Sequence, residues 1–305
     1  MKTNMLATGV YVASLTPLKA DHSIDHTHLI RHCKWLLKNG VTGILLMGTT
    51  GEANSFSRKE RMVALEAIVA SGIPAKKLLV GTGCCAVPDT VTLTKHALDL
   101  GVQNVLVLPP FYYKNVSDDG IFDFFDRVIQ EVEEDALRIY LYHFPKMTGL
   151  PFSADLIARF IEHFPQQIVG IKDSGGDWQH MQMLKERFPD FQIFAGSETF
   201  LSQIMEIGGA GCISASANLS CFTAAKLYAT VDPDERQRLQ DKLNALRSII
   251  EGYPVISVLK QVMSGLEKNE NWLHLRPPQV ALSAEDVDKL LKALEEIHFP
   301  ADYFI

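Results

Sequence analysis

The chain has 305 residues, of which 47% are hydrophobic, and a formal net charge of −7. That length permits one large domain or two ordinary ones, with enough apolar residues for a sizeable core. The acidic balance argues against nucleic acid or an anionic membrane as a main partner.

No apolar run approaches the roughly 18–20 residues that a membrane helix needs. The start, Met1-Lys2-Thr3-Asn4-Met5-Leu6, breaks its apolar run with Thr and Asn, so no signal peptide is expected. Cys33, Cys84, Cys85, Cys212 and Cys221 form an odd, irregularly spaced set without a C-x-x-C motif. Reduced thiols in a cytoplasmic protein are the expectation.

Strand-like and helix-like segments alternate along the chain. A first strand over 10–14 runs into Thr16-Pro17, and Asp25 is placed to cap a helix from about 27 to 38, closed by Asn39-Gly40. After the second strand, 43–48, Ser57 and Glu60 have capping-box spacing for a helix to about 70. The third strand, 77–81, precedes a helix over 89–100. The fourth, 104–108, stops at Pro109-Pro110 before a helix over 118–133. The fifth strand, 138–143, stops at Pro145, and a helix over 154–163 leads to the sixth, which carries Lys172. The seventh strand, 192–196, precedes a helix ending at Gly208-Gly209, and the eighth spans 211–217.

Eight such units imply a parallel sheet, and in so short a stretch they predict an α/β fold of the closed (β/α)8 barrel type over residues 1–222. An open doubly wound sheet would want a nucleotide fingerprint after its first strand, and Leu15-Thr16-Pro17-Leu18 is not one. Residues 223–305 read as helices at 223–229, 233–251, 254–267 and 283–297, a helical extension packed on the barrel.

Barrel active sites lie at the carboxyl ends of the strands. The run Ile168-Val169-Gly170-Ile171 ends on Lys172. An unpaired ammonium is costly to bury, and burial favours the neutral amine of any lysine, the form that attacks a carbonyl. The plain alternative is a lysine that snorkels to water. Gly48-Thr49-Thr50-Gly51-Glu52, after the second strand, sets two hydroxyls between two glycines, so that N–H groups and Oγ atoms can converge on a carboxylate. An ordinary turn explains that string equally well. Phe111-Tyr112-Tyr113 follows the fourth strand and Tyr142 ends the fifth. Aromatic residues there are core by default, but a strand-end tyrosine can shuttle protons. Gly196-Ser197-Glu198 follows the seventh strand, and Ser214 and Asn218 lie after the eighth begins.

Several chemistries are disfavoured. Metal-dependent aldol cleavage needs His and carboxylate clusters at strand ends, and only His143 stands in such a place, so no metal is expected. His28 and His32 have i,i+4 spacing on the first outer helix and are read as solvent-facing. Gly81-Thr82-Gly83 lacks the rest of a dinucleotide loop. Asp173 and Glu198 would repel a phosphate, which favours an unphosphorylated substrate.

Taken together and in order, Gly48-Thr49-Thr50-Gly51-Glu52, Pro110-Phe111-Tyr112-Tyr113, Tyr142-His143-Phe144-Pro145-x-x-Thr148-Gly149, Gly170-Ile171-Lys172-Asp173 and Gly211-Cys212-Ile213-Ser214 carry a resemblance. The chain resembles the dihydrodipicolinate synthase / N-acetylneuraminate lyase family of Schiff-base-forming, pyruvate-handling barrels, over nearly all of 1–300. The resemblance implies cofactor-free catalysis, with Lys172 forming an imine with a 2-keto acid and Tyr142 shuttling protons. It implies that Thr49 and Thr50, in the loop opened by Gly48, hold the keto-acid carboxylate, and that Thr49 links Tyr142 to a second tyrosine, Tyr112, near a subunit interface. Gly196 and Ile213 would contribute near the lysine, and Glu52 would satisfy its own turn's N–H groups. A homotetramer built from dimers is likewise implied.

Departures from the family pattern bear on substrate. Met147 stands where dihydrodipicolinate synthases carry an arginine for the aldehyde partner's carboxylate, with Lys146 beside it. The string Tyr142-His143-Phe144-Pro145-Lys146-Met147-Thr148-Gly149 is most similar to the 2-keto-3-deoxy sugar acid aldolases, and Ser197, Glu198 and Ser214 suit a polyhydroxylated chain. The leading expectation is a lyase that splits a 2-keto-3-deoxy sugar acid to pyruvate and an aldehyde. The alternatives are a keto-deoxy acid dehydratase or dihydrodipicolinate synthase using the same imine, and a keto-acid-binding sensor without turnover.

Overall fold

In the computed structural model, which describes residues 5–303, β1 (Gly9–Ala13) pairs in parallel with both β2 (Gly43–Leu46) and β8 (Gly211–Ser214), and this closes the sheet. Residues 1–4, which hold most of the expected non-leader start, and 304–305, the end of the expected extension, lie outside the described residues. Around the barrel follow β3 (Leu78–Gly81), β4 (Asn104–Val107), β5 (Arg138–His143), β6 (Ile168–Asp173) and β7 (Gln192–Ala195), each paired with its neighbours in sequence. The outer ring contains α1 (His26–Lys38), α2 (Arg58–Ala70), α3 (Val87–Asp99), α4 (Asp118–Val132), the single turn α5 (Pro145–Thr148), α6 (Ala154–His163), α7 (Trp178–Arg187) and α8 (Leu201–Glu206). The chain continues through α9 (Ala217–Ala229), α10 (Pro233–Glu251), α11 (Val255–Glu267) and α12 (Ala284–Glu296). Among the described residues, no helix is long and apolar enough to cross a membrane.

Helix starts follow local chemistry. Asp25 accepts the N–H of His28, and Ser57 and Glu60 make the reciprocal capping box that their spacing predicts. Along the strands, alternate residues separate two cores. Val12, Ile44, Leu46, Leu141 and Ile171 pack outward under the helices. Tyr11, Leu45, Leu79, Leu106, Tyr140 and Phe194 fill the barrel. Each such side chain contributes roughly 1.5–3 kcal/mol by leaving water, which lets strands of four residues hold their place.

Gly170 is required by this packing. A Cβ there would lie 2.6 Å from the Tyr140 ring, which crosses the barrel at that level. Tyr140 accepts the N–H of Leu6 and donates to Gln192, so a plug of aromatic and polar groups closes the barrel below Lys172.

The structure departs from expectation in places. β8 ends at Ser214, and α9 begins at Ala217 rather than 223, with a kink at Ser220. Asn218 causes the early turn: it accepts the N–H of Leu15 and donates to Ala13 and Ala215 carbonyls, binding the chain after β8 to the end of β1. α7, for which no bounds were predicted, is a helix whose buried residues are only Met181 and Leu184. His28 and His32 are buried, not solvent-facing. They share the inward stripe of α1 with Leu29, Cys33 and Leu36, where His28 meets Glu267 at 2.8 Å and His32 meets Asn218 at 2.9 Å.

The later helices build a third core, from Leu246, Ile250, Val258, Leu259, Trp272 and Leu290, against Leu15 and Leu219 of the barrel. Rather than satisfying its own turn's N–H groups, the Glu52 carboxylate takes the Lys260 ammonium and the N–H of Arg276. Both side chains of that ion pair are buried. Burial pulls the Lys260 pKa down, and Glu52 opposes the pull.

Candidate active site

Tyr142 and Lys172 are register partners on adjacent parallel strands, so both side chains point into the top of the barrel side by side. Lys172 is 4% exposed. Its Nζ lies 3.3 Å from Tyr142 Oη and 4.3 Å from the centre of the phenol ring. Tyr142 Oη is in turn 3.2 Å from Thr49 Oγ1. An amine, a phenol and a hydroxyl thus form a continuous line. An acid–base group in contact with a nucleophilic amine is what addition to a carbonyl, and proton removal from the adduct, require.

The loop that carries Thr49 is held from several sides. Met47 and Glu52 take positive φ values of 52° and 59°. Glu52 N–H donates to Thr49 O, and Thr16 Oγ1 donates to Gly51 O. The buried ion pair with Lys260 anchors the loop's far end.

Above the line lies a cavity of about 630 Å³. Thr49, Thr50, Tyr142, Lys172, Gly196, Ser197 and Met147 all border it. Gly196 donates its N–H to Asp173 O, and a Cβ there would meet Ser174 Oγ at 2.2 Å. Gly48 lies instead beside a much smaller cavity that Thr49 and Tyr142 also border. Glu198 and Ile213, expected beside the substrate, are wholly buried behind the wall, and Ser214 and Ser220 donate to the Glu198 carboxylate. Tyr112 and Tyr113 are each 73% exposed and pack edge-on against one another, outside the cavity.

Several lining residues had no signal in the sequence. Arg247, Glu251, Pro254, Val255, Ile256 and Gln279 come from the later helices and loops, and no local pattern marks them, because only docking of that layer brings them here. His180 was also missed. Its Nδ1 donates to Asp173 at 2.6 Å, and its ring stacks on His143 at 4.6 Å.

His143, Asp173 and His180 are the one set of this kind among the described residues whose donor atoms are close enough to share a metal. His143 Nδ1 accepts the N–H of Phe152, while Asp173 accepts from Gly175 and His180. Burial lowers the His143 pKa.

A closed barrel with a buried lysine in contact with a tyrosine, under an open cavity at the carboxyl ends of the strands, is the architecture of a barrel enzyme. Its lineage is specific: the profile of the dihydrodipicolinate synthetase family matches residues 6–297, and the chain belongs to that family of lyases and aldolases. It is 34% identical to a DapA-like lyase of Chloroflexus aurantiacus, covering 95% of this chain and 96% of that one. It is 30% identical to a probable 4-hydroxy-2-oxoglutarate aldolase of Emericella nidulans, covering 97% and 96%. Among solved structures, the dihydrodipicolinate synthase of Agrobacterium tumefaciens superposes with a TM-score of 0.87 at 32% identity, covering 95% of this chain and 99% of that one.

Proposed function

We propose that the protein is a Schiff-base aldolase that cleaves a 2-keto-3-deoxy sugar acid, reversibly, to pyruvate and an aldehyde. The observation that carries this reading is the unbroken line Thr49–Tyr142–Lys172 at the cavity floor. The amine of Lys172 adds to the keto carbon, Tyr142 gives its proton to the departing hydroxide so that water leaves, and a protonated imine forms. The Tyr142 phenolate then takes the proton of the hydroxyl on C4 as the C3–C4 bond breaks. The bonding pair moves through C3 into the imine, which becomes an enamine, and the aldehyde departs. Protonation at C3 and hydrolysis then release pyruvate and restore the lysine. The imine is itself the electron sink, so the reading calls for no cofactor or metal ion.

The Thr49–Thr50 loop is assigned the keto-acid carboxylate. A 4-hydroxy-2-keto acid is also what the Emericella relative's name describes, and it has the same bond between C3 and C4. Met147 replaces a guanidinium on the cavity rim and weighs against dihydrodipicolinate synthesis. The exposed Tyr112 is assigned to a contact with a second copy in a homotetramer, and the unpaired cysteines suit a cytoplasmic enzyme.

Borohydride reduction in the presence of pyruvate tests the imine, with one reduced pyruvate on Lys172 as the expected adduct. A panel of 2-keto-3-deoxy acids, assayed for pyruvate release, then separates cleavage from dehydration. Absence of the adduct, or loss of water without pyruvate release, would sink the reading.

A further inference from the structure

We propose that Arg247 selects the substrate by binding a second carboxylate, at the end of the chain remote from the keto acid. The proposal rests on the aldolase reading and deepens it, by making the preferred substrate an acid at both ends. Arg247 stands near the end of α10 and borders the same cavity as Lys172.

Its guanidinium is held on one edge and free on another. Nη1 donates to Ser216 Oγ at 3.0 Å, and Nε donates to Glu251 at 2.7 Å. Among the described residues, Nη2 has no hydrogen-bond partner. A planar fork with unused N–H groups is suited to take a carboxylate.

The hold on Nη1 is built into the barrel. Ser216 is buried, and its hydroxyl lies 3.4 Å from that of Ser214, which donates to Glu198. Every donor in this chain points the same way, from the Arg247 cation through two serines to a buried carboxylate. That polarised chain gives Glu198 a task although it does not reach the cavity. It orients the arginine and leaves the rest of the fork to the ligand.

Charge around the cavity agrees. Lys146, Lys172 and Arg247 border it, against Asp173 and Glu251. Asp173 directs its oxygens to Gly175 and His180, and Glu251 is 58% exposed to water. A cavity with cations on both its barrel side and its extension side, in a chain of net charge −7, fits a dianion better than a neutral polyol.

The test uses borohydride trapping on the full-length protein with matched probes. 2-Oxoglutarate is compared with 2-oxovalerate, and 2-oxoadipate with 2-oxohexanoate. The half-maximal trapping concentration of at least one diacid is expected to be at least about tenfold below that of its monoacid partner, the scale of a charge-assisted contact. In Arg247→Gln that ratio falls to about one. In Ser216→Ala, which keeps the guanidinium but removes its seat, it falls roughly threefold. A purely structural role for Arg247 would change trapping of both acids alike and leave the ratio untouched. No diacid advantage in the wild type, or an advantage that survives Arg247→Gln, overturns the assignment. Failure of pyruvate itself to form an adduct overturns the aldolase reading and this proposal with it.

Discussion

Among the described residues, Lys172 makes its one side-chain hydrogen bond to Tyr142, and no carboxylate lies within ion-pairing distance of it. The aldolase reading therefore separates the two residues cleanly. Lys172→Ala should abolish the borohydride adduct and lower turnover by at least about 10⁴-fold, with the fold intact by circular dichroism. Tyr142→Phe should still form the adduct while kcat falls roughly 10²–10³-fold. Retained turnover within tenfold of wild type in either variant contradicts the assigned role. These residues were legible in the sequence because strand ends of a barrel are predictable positions, and an unusual residue type at such a position stands out. Arg247 was not, since an arginine on a polar helix looks like any solvated charge until the helix docks. Glu198 misleads for the opposite reason. It follows a strand end, but the chain turns it inward toward Ser214 and Ser220.

At the scale of elements, the loop after β2 depends on α11. The Glu52–Lys260 pair is buried, so removing one partner leaves an uncompensated charge, at a cost of about 3–5 kcal/mol. Glu52→Gln should lower the melting temperature markedly, and adding Lys260→Met should recover a large part of the loss. A double variant no more stable than Glu52→Gln would show that the pair is not the source. Capping chemistry made α1 and α2 readable in advance, because Asp25 and the Ser57–Glu60 box act within a few residues. The orientation of α1 was less readable. A helix with several histidines looks polar by composition, and only the partners Glu267, Asn218 and Trp272, far away in sequence, explain why two of them face inward.

For the whole molecule, burial holds His32 neutral, its pKa pulled from 6.5 to about 4 despite the Asn218 hydrogen bond. Between those values the unfolded chain binds a proton that the folded chain refuses. Stability is therefore full above about pH 6.5 and falls by about 3 kcal/mol as the pH drops toward 4. Glu60, held down to about 2 chiefly by Arg276, adds its loss at lower pH, as the pH falls below its ordinary 4.5. Thermal melts of His32→Gln should decline less steeply than wild type between pH 6.5 and 4.5. Identical slopes would remove His32 from the account. The cavity walls originate in two separate stretches of chain. Lys172 and Tyr142 come from strand ends and the two threonines from the loop after β2, whereas Arg247, Glu251, Val255, Ile256 and Gln279 come from chain that follows the closed barrel. On the proposed assignments, bond-making and chain-end recognition occupy different stretches of the gene, so a graft of residues 247–279 from a relative is expected to change which 2-keto acid is preferred while the borohydride adduct on Lys172 persists.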